Sequence, residues 1–191
     1  MKKMIAALQV SVDGFIEGPN GELDWVAEWS NDVDLLNQVD TCVLGGGMYP
    51  GYEQYWMAIL ANPEGILAFT GRKPTKGEID YAAFADKTPH IVLSTTLEKA
   101  AWQTTNIVRD IEDIRKLKRQ PGKDIYVVGG ANFVSNLLNH GLIDELRLAI
   151  QPVIIGGGKA LFKDVKGRHG LILKDAKTMA SGEVQLIYKT S

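Results

Sequence analysis

Glycine carries most of the chemistry this chain can be read to do. Glycine runs follow apolar runs three times: Gly45-Gly46-Gly47 after Thr41–Leu44, Gly129-Gly130 after Ile125–Val128, and Gly156-Gly157-Gly158 after Val153-Ile154-Ile155. A glycine pair at the end of a buried strand lets main chain approach a ligand with no Cβ in the way. A helix that begins there offers unpaired N–H groups to a diphosphate. The stretch Asp124–Phe133 has that order of strand, glycines and helix. By itself a Gly-Gly step serves a tight strand-to-helix turn equally well. It is also not the dinucleotide fingerprint of the Rossmann fold, since the G-x-G-x-x-G spacing and the following acid are both missing. Three such turns in one small chain are better explained by one shared ligand crevice.

The acids come next. The loop Val12–Trp25 mixes turn formers, carboxylates and aromatics, as loops that close over a substrate do. Asp13 beside Gly14 and Asp24 beside Trp25 are open both to a catalytic role and to ordinary ones, a turn cap and a solvent-facing acid. Ser94 ends the run Ile91-Val92-Leu93, where its hydroxyl can meet a phosphate or simply terminate the strand.

Other chemistries are excluded. His90, His140 and His169 are solitary, so no metal set is predicted. There is neither a G-x-S-x-G elbow nor a Gly-Lys-Ser/Thr phosphate loop. Cys42, inside Thr41-Cys42-Val43-Leu44, reads as a small buried hydrophobe rather than a nucleophile. A lone cysteine also rules out a disulfide framework and points to a reducing, cytoplasmic compartment. The apolar start after Met1-Lys2-Lys3 is broken at Gln9 and Asp13, so it reads as a first strand and not as a signal peptide. No run is long enough to span a bilayer. With a net charge of −2, and with Arg115–Arg119 trailing Asp110, Glu112 and Asp113 along one helix, no nucleic-acid surface is predicted.

The elements that must position these groups alternate. Strand-length apolar runs are predicted at Met4–Val10, Thr41–Leu44, His90–Ser94, Ile107–Arg109, Ile125–Val128, Glu145–Val153 and Val184–Lys189. Helices are predicted at about Asn31–Gln38, Ile111–Lys118 and Ala131–His140, with a weaker one around Tyr49–Leu60. Phe133, Val134, Leu137 and Leu138 make the third helix one-faced, and Gly141 stops it. The Gly-, Pro- and charge-rich stretch from Asn62 to Thr88 reads as a long connection. The 191 residues suit a single domain, 1–191, of the α/β class, with a mostly parallel central sheet, helices on both faces and antiparallel C-terminal edge strands.

Val127-Val128-Gly129-Gly130-Ala131, then Gly141-Leu142-Ile143-Asp144-Glu145-Leu146, then Pro152–Gly158, preceded by Ser11–Ile16, resemble the dihydrofolate reductase superfamily. Within it they are most similar to the RibD C-terminal family of riboflavin biosynthesis, over nearly the whole chain. That resemblance implies a dihydrofolate-reductase-like fold and hydride transfer from NADPH, with NADH not excluded. The implied substrate is a small heterocycle, a pteridine or the ribosylaminopyrimidine phosphate of the riboflavin pathway, and the implied assembly is a homodimer. It also implies a cofactor site of Ala7, Gly14, Ile16, Gly45, Gly46, Ser94, Thr95, Val128, Gly129, Gly130, Ala131 and Phe133. Catalytic acids are implied among Asp13, Glu28 and Asp32. The family's Gly-Arg-x-Thr-Tyr is Gly45-Gly46-Gly47-Met48-Tyr49 here, which removes the arginine that would hold a 2′-phosphate. Arg72 or Lys73 is the substitute the sequence offers. The missing arginine also admits a second reading, a ligand-binding protein without turnover.

Overall fold

The computed structural model describes residues 1–26 and 33–191. Its centre is an eight-stranded sheet in the order β5-β4-β3-β6-β1-β7-β10-β9. In chain order the strands are β1 (Met4–Ser11), β3 (Val39–Gly45), β4 (His90–Leu93), β5 (Thr105–Val108), β6 (Asp124–Gly129), β7 (Glu145–Gln151), β9 (Leu171–Thr178) and β10 (Val184–Thr190). The strands from β5 to β7 are mutually parallel, while β10 and β9 pair antiparallel at one edge. A small antiparallel pair, β2 (Phe15–Glu17) with β8 (Lys159–Ala160), ties the N-terminal loop to the turn after β7. This is the architecture predicted from the alternation of apolar runs.

Both faces of the sheet are apolar because side chains alternate across a strand. Met4, Ala6, Val43, Ile125 and Val127 face one way, against α4 (Ile111–Leu117) and α5 (Ala131–Asn139). Cys42, Leu44, Val92 and Tyr126 face the other, against α2 (Tyr49–Ala61) and α3 (Lys76–Lys87). Leu35, on α1 (Val33–Gln38), covers Ile5 and Val39. In α2 the buried positions Tyr49, Tyr52, Trp56 and Ile59 fall at helical spacing, and Pro50 stands in the first turn, where its missing N–H costs nothing.

Besides the short pair β2 and β8, two elements differ from the sequence prediction. The connection from Asn62 to Thr88 contains α3, which begins with a capping box: the Thr75 hydroxyl accepts from Glu78 N–H and the Glu78 carboxylate accepts from Thr75 N–H. Glu78 is fully buried, where it takes a two-pronged ion pair from Arg72 at 2.8 and 2.9 Å and the Tyr55 hydroxyl at 3.1 Å. Burial alone would push this carboxyl up; Arg72 and the Thr75 N–H outweigh it and hold it below the usual range. The second difference is β9, an edge strand every residue of which is exposed.

The motif Gly141–Leu146 lies at the end of the sheet where β1 and β7 begin. Leu142, Ile143 and Leu146 are buried, Asp144 accepts from Met4 N–H at 2.7 Å, and Lys118 reaches Asp144 at 2.6 Å. Its job is to lace together the starts of strands.

Under α2 an aromatic cluster encloses His90, which is fully buried. The Tyr52 hydroxyl meets His90 Nε2 at 3.1 Å and the Tyr81 hydroxyl at 3.0 Å, and Trp102 stacks on the imidazole. Burial lowers the histidine from 6.5 to about 4. The unfolded chain therefore takes up a proton below about pH 6.5 that the folded chain refuses until about pH 4, so stability falls as the pH drops through that window. The depression corresponds to a loss on the order of 3 kcal/mol. Denaturant melts of wild type and His90→Gln should diverge in their pH dependence between about pH 6.5 and 4, the variant losing less on acidification. Parallel curves would show that this imidazole is not the source.

Candidate active site

The site is where two neighbouring parallel strands part. β1 pairs with β6 only from Met4↔Ile125 to Ala6↔Val127, whereas its ladder with β7 runs on to Ser11↔Gln151. Past Ala6 the ends of β1 and β6 separate. The helices that come next in the chain also cover opposite faces, α1 after β1 and β2, and α5 after β6. That is the arrangement in which α/β sheets bind ligands, outside the carboxyl ends of the strands. A cavity of about 1220 Å³ opens there, lined by Ala7, Leu8, Ile16, Gly45, Val128 and the residues from Gly129 to Phe133, among others.

Glycine shapes the wall beyond the parting. Gly129 and Gly130 have φ of 126° and 82°, values that L side chains rarely adopt. A Cβ on Gly129 would stand 3.1 Å from Leu8 Cδ2, so the wall carrying β1 closes to within a side chain of the β6 main chain. Gly130 is the N-cap of α5 and supplies no side-chain cap, so among the described residues no cap competes with an anion for the first-turn N–H groups that a helix start leaves over. The apolar face of α5, with Val134 and Leu137 fully buried, fixes that end in place. These features fit a nicotinamide dinucleotide: glycines that admit its diphosphate, and a helix start that neutralises it.

The other glycine turns divide. Gly45 belongs to the crevice, since a Cβ there would lie 3.0 Å from Phe133 Cβ, and Gly47 opens onto the cavity with nothing within 4 Å. Gly46 faces away, and a Cβ on it would fall 2.3 Å from Ser94 Cβ. The third turn does not share the crevice. Gly158 packs its main chain on Glu17 and Gly18, and the turn braces the N-terminal loop. Steric approach explains all three turns, but in the third case main chain approaches main chain and not a ligand.

Asp13 is part of that bracing. Its carboxylate accepts from the Ser11 hydroxyl at 2.7 Å, Gly156 N–H at 2.7 Å and Ile155 N–H at 3.2 Å, and Gly14 sits in the turn beside it at φ 89°. The Ser11 hydroxyl foremost, then those amides, hold the acid below the usual carboxylate range. It is ionised at neutral pH and does not line the cavity, so it positions the loop rather than donating a proton. Glu28 and Asp32 fall outside the described residues.

Ser94 and Thr95 lie beyond the cavity, where β3, β4 and β5 end together. The Ser94 hydroxyl accepts from Thr96 and Leu97 N–H, and its carbonyl accepts from Arg109 Nη1. The substitutes offered by the sequence are engaged elsewhere, Arg72 with Glu78 and Lys73 with Glu64. Arg109, exposed beside Ser94, was not singled out from sequence, nor were Tyr126 and Arg147, which line the cavity from strand positions. The signal for them was the strand period: side chains two apart on β6 and β7 share the cavity face.

Replacing Gly130 with alanine introduces a Cβ at φ 82° with its nearest neighbour, Met48 Cβ, 3.8 Å away. The cost is therefore backbone strain, about 1–3 kcal/mol. Gly130→Ala is expected to lower Tm and to weaken dinucleotide binding at least tenfold, read by nicotinamide fluorescence. Unchanged affinity would make the turn purely structural.

The chain matches the RibD C-terminal domain across residues 2–187. It is 38% identical over 190 residues to the uncharacterized protein YyaP of Bacillus subtilis (strain 168), covering 98% of this chain and 94% of the relative. In structure it resembles a diaminohydroxyphosphoribosylaminopyrimidine deaminase/5-amino-6-(5-phosphoribosylamino)uracil reductase from Thermotoga maritima, with a TM-score of 0.66 at 16% identity; all of this chain is covered, against 57% of that longer one. It also resembles dihydrofolate reductase from Enterococcus faecalis complexed with NADP(H), with a TM-score of 0.62 at 15% identity over 99% of this chain and 96% of the other. The fold is thus that of dihydrofolate reductase, and the chain belongs to the RibD C-terminal domain family.

Proposed function

We propose that this chain is a reductase, working as one domain in the cytoplasm, that transfers a hydride from NADPH to a small heterocycle of the pteridine or aminopyrimidine kind. The observation that carries this reading is the parting of β1 and β6 at Ala6/Val127, with Gly129-Gly130 and the uncapped start of α5 on one wall. The bound cofactor would supply the hydride. Around it, Gly129 and Gly130 admit the diphosphate, the α5 amides hold its charge, and Ala7 and Leu8 flank the ring end of the crevice. Reducing a C=N bond also needs a proton on nitrogen. Asp13 is committed to the loop, so Glu28 and Asp32 are the proposed donors.

The cofactor preference rests on Arg109. With glycine at position 46, the exposed guanidinium beside Ser94 is the cation placed to meet a 2′-phosphate where the adenosine end would lie, by charge-assisted hydrogen bonds. This arrangement also removes the main support for a turnover-free binding protein, because Gly46 is required by its packing on Ser94. Titration of the protein into NADPH should show saturable enhancement of nicotinamide fluorescence. No saturable binding at millimolar cofactor sinks the reductase reading. Arg109→Gln is expected to raise the Kd for NADPH about tenfold while leaving NADH unaffected, and equal losses for both would remove the arginine from this role.

We also propose a homodimer through the β9 edge. The strand is paired on one side only, and it exposes Leu171, Ile172 and Leu173 at 42–53% of their surface. Isolated edges of this kind invite strand pairing. Sedimentation should give a dimer for wild type and a monomer for Ile172→Lys/Leu173→Lys; a wild-type monomer overturns the assembly.

A further inference from the structure

Beyond the glycine cradle the cavity wall turns aromatic and loses its charge. Tyr55 and Met48 from the α2 side, Phe69 from the following loop, and Tyr126 and Val128 from the sheet all line it. The polar ends of its buried rings point away, the Tyr55 hydroxyl to Glu78 and the Tyr52 hydroxyl to Tyr81 and His90, so the wall presents ring carbon. Among the described residues three cations line the cavity. Arg147 bonds Glu145 at 2.7 Å and Gln38 at 2.9 Å, Lys159 pairs with Glu17, and Lys177 is on the exposed edge strand β9, four strands from the Tyr126 wall on β6. Nearby Arg72 and Lys73 are held by Glu78 and Glu64. Residues 27–32, Ala-Glu-Trp-Ser-Asn-Asp, contain no Lys, Arg or His wherever they lie. A phosphate pressed against this wall would be desolvated with no counter-charge.

The same wall leaves room for something flat. Gly47 and Gly51 are four residues apart, both line the cavity, and an added Cβ would meet nothing within 4 Å at either. Phe69 is 63% exposed, its ring edge-on to Tyr55 with centroids 6.0 Å apart, and Ile66, three residues before it in the same loop, is 74% exposed. Large apolar side chains left open at the rim of a cavity are covered when its ligand arrives.

We infer that this aromatic end binds an uncharged, planar ring system, slotted between α2 and the sheet and covered by Phe69. Among heterocycles this selects unphosphorylated ones. The inference rests on the reading of the glycine cradle as the nicotinamide site only insofar as the two ligands meet there.

The probes are lumichrome, riboflavin and flavin mononucleotide, which carry related flat tricyclic rings; the last two differ only in a phosphate. Quenching of flavin fluorescence should give saturable binding of lumichrome and riboflavin at least tenfold tighter than that of the mononucleotide. Phe69→Ala should weaken lumichrome about tenfold. Gly51→Leu, which fills the slot while improving a helical position, should abolish binding without lowering Tm. Equal or tighter binding of the mononucleotide, absence of saturable binding by all three, or lumichrome affinity unchanged in both variants overturns the inference. NADPH titrated separately keeps the two readings apart: its failure to bind sinks the reductase, while lumichrome binding that Phe69→Ala weakens would still support the ring site.

Discussion

Two parallel strands share a ladder only while their registers match, and in this protein β6 leaves β1 after Val127, where its register with β3 also shifts, before its pairing with β3 ends at Gly129. With φ at 126° and then 82°, the chain turns out of the sheet into α5 while β1 continues for several residues along β7. Everything that makes the site follows from that early exit. It leaves a crevice between strand ends, puts a helix start at its edge, and brings Leu8 to where a Cβ on Gly129 would stand. The exit depends in turn on α5 being held by its buried face, and α5 sits so near β3 that Gly45 has no room for a side chain beside Phe133. Glycine at 45 and at 129 is thus one requirement seen from two strands.

The two ends of the sheet are stabilised by different means. Where the parallel strands begin, charges lace them: Lys118 and Met4 N–H converge on Asp144, and Lys2 reaches Asp40 at 2.6 Å. Where they finish, ion pairs are scarce and close main-chain packing takes over. A partly buried ion pair whose hydrogen bonds are filled fixes geometry, but it would compete for an anionic cofactor if set beside the cradle. The pairs that lace the strand starts lie at the opposite end from the α5 amides, and Lys159 with Glu17, in the small β2–β8 pair, lines the cavity from the N-terminal loop.

The sheet was legible because buried strands declare themselves as short apolar runs, and the glycine pair because a strand, two glycines and an amphipathic helix follow in order. The missed elements were hidden for identifiable reasons. α3 is short of large apolar residues, with only Tyr81, Ala82 and Ala85 buried beside Glu78, so its periodicity was faint although Thr75 and Glu78 spelled a capping box. β9 mixes Leu171-Ile172-Leu173 with Lys174, Asp175 and Lys177 and buries none of them, so neither the apolar-run nor the alternation signal applied. In the site, Tyr126 and Arg147 looked like ordinary strand residues, because only the parting of β1 and β6 decides which strand face is a cavity wall. The third glycine turn misled because approach to main chain and approach to a ligand require the same residue.

The departure at Gly46 is best understood as one side of an exchange. An arginine there would drive its Cβ into Ser94, whose hydroxyl caps the turn through Thr96 and Leu97 N–H and whose carbonyl holds Arg109. Moving Ser94 aside would release both the turn and the guanidinium. If the adenosine end of a dinucleotide lies here as proposed, its cation would come from Arg109, the residue after β5, and not from position 46. Glycine at 46 and the bond from Arg109 depend on the same serine, so an arginine placed at 46 alone should disturb this corner of the sheet.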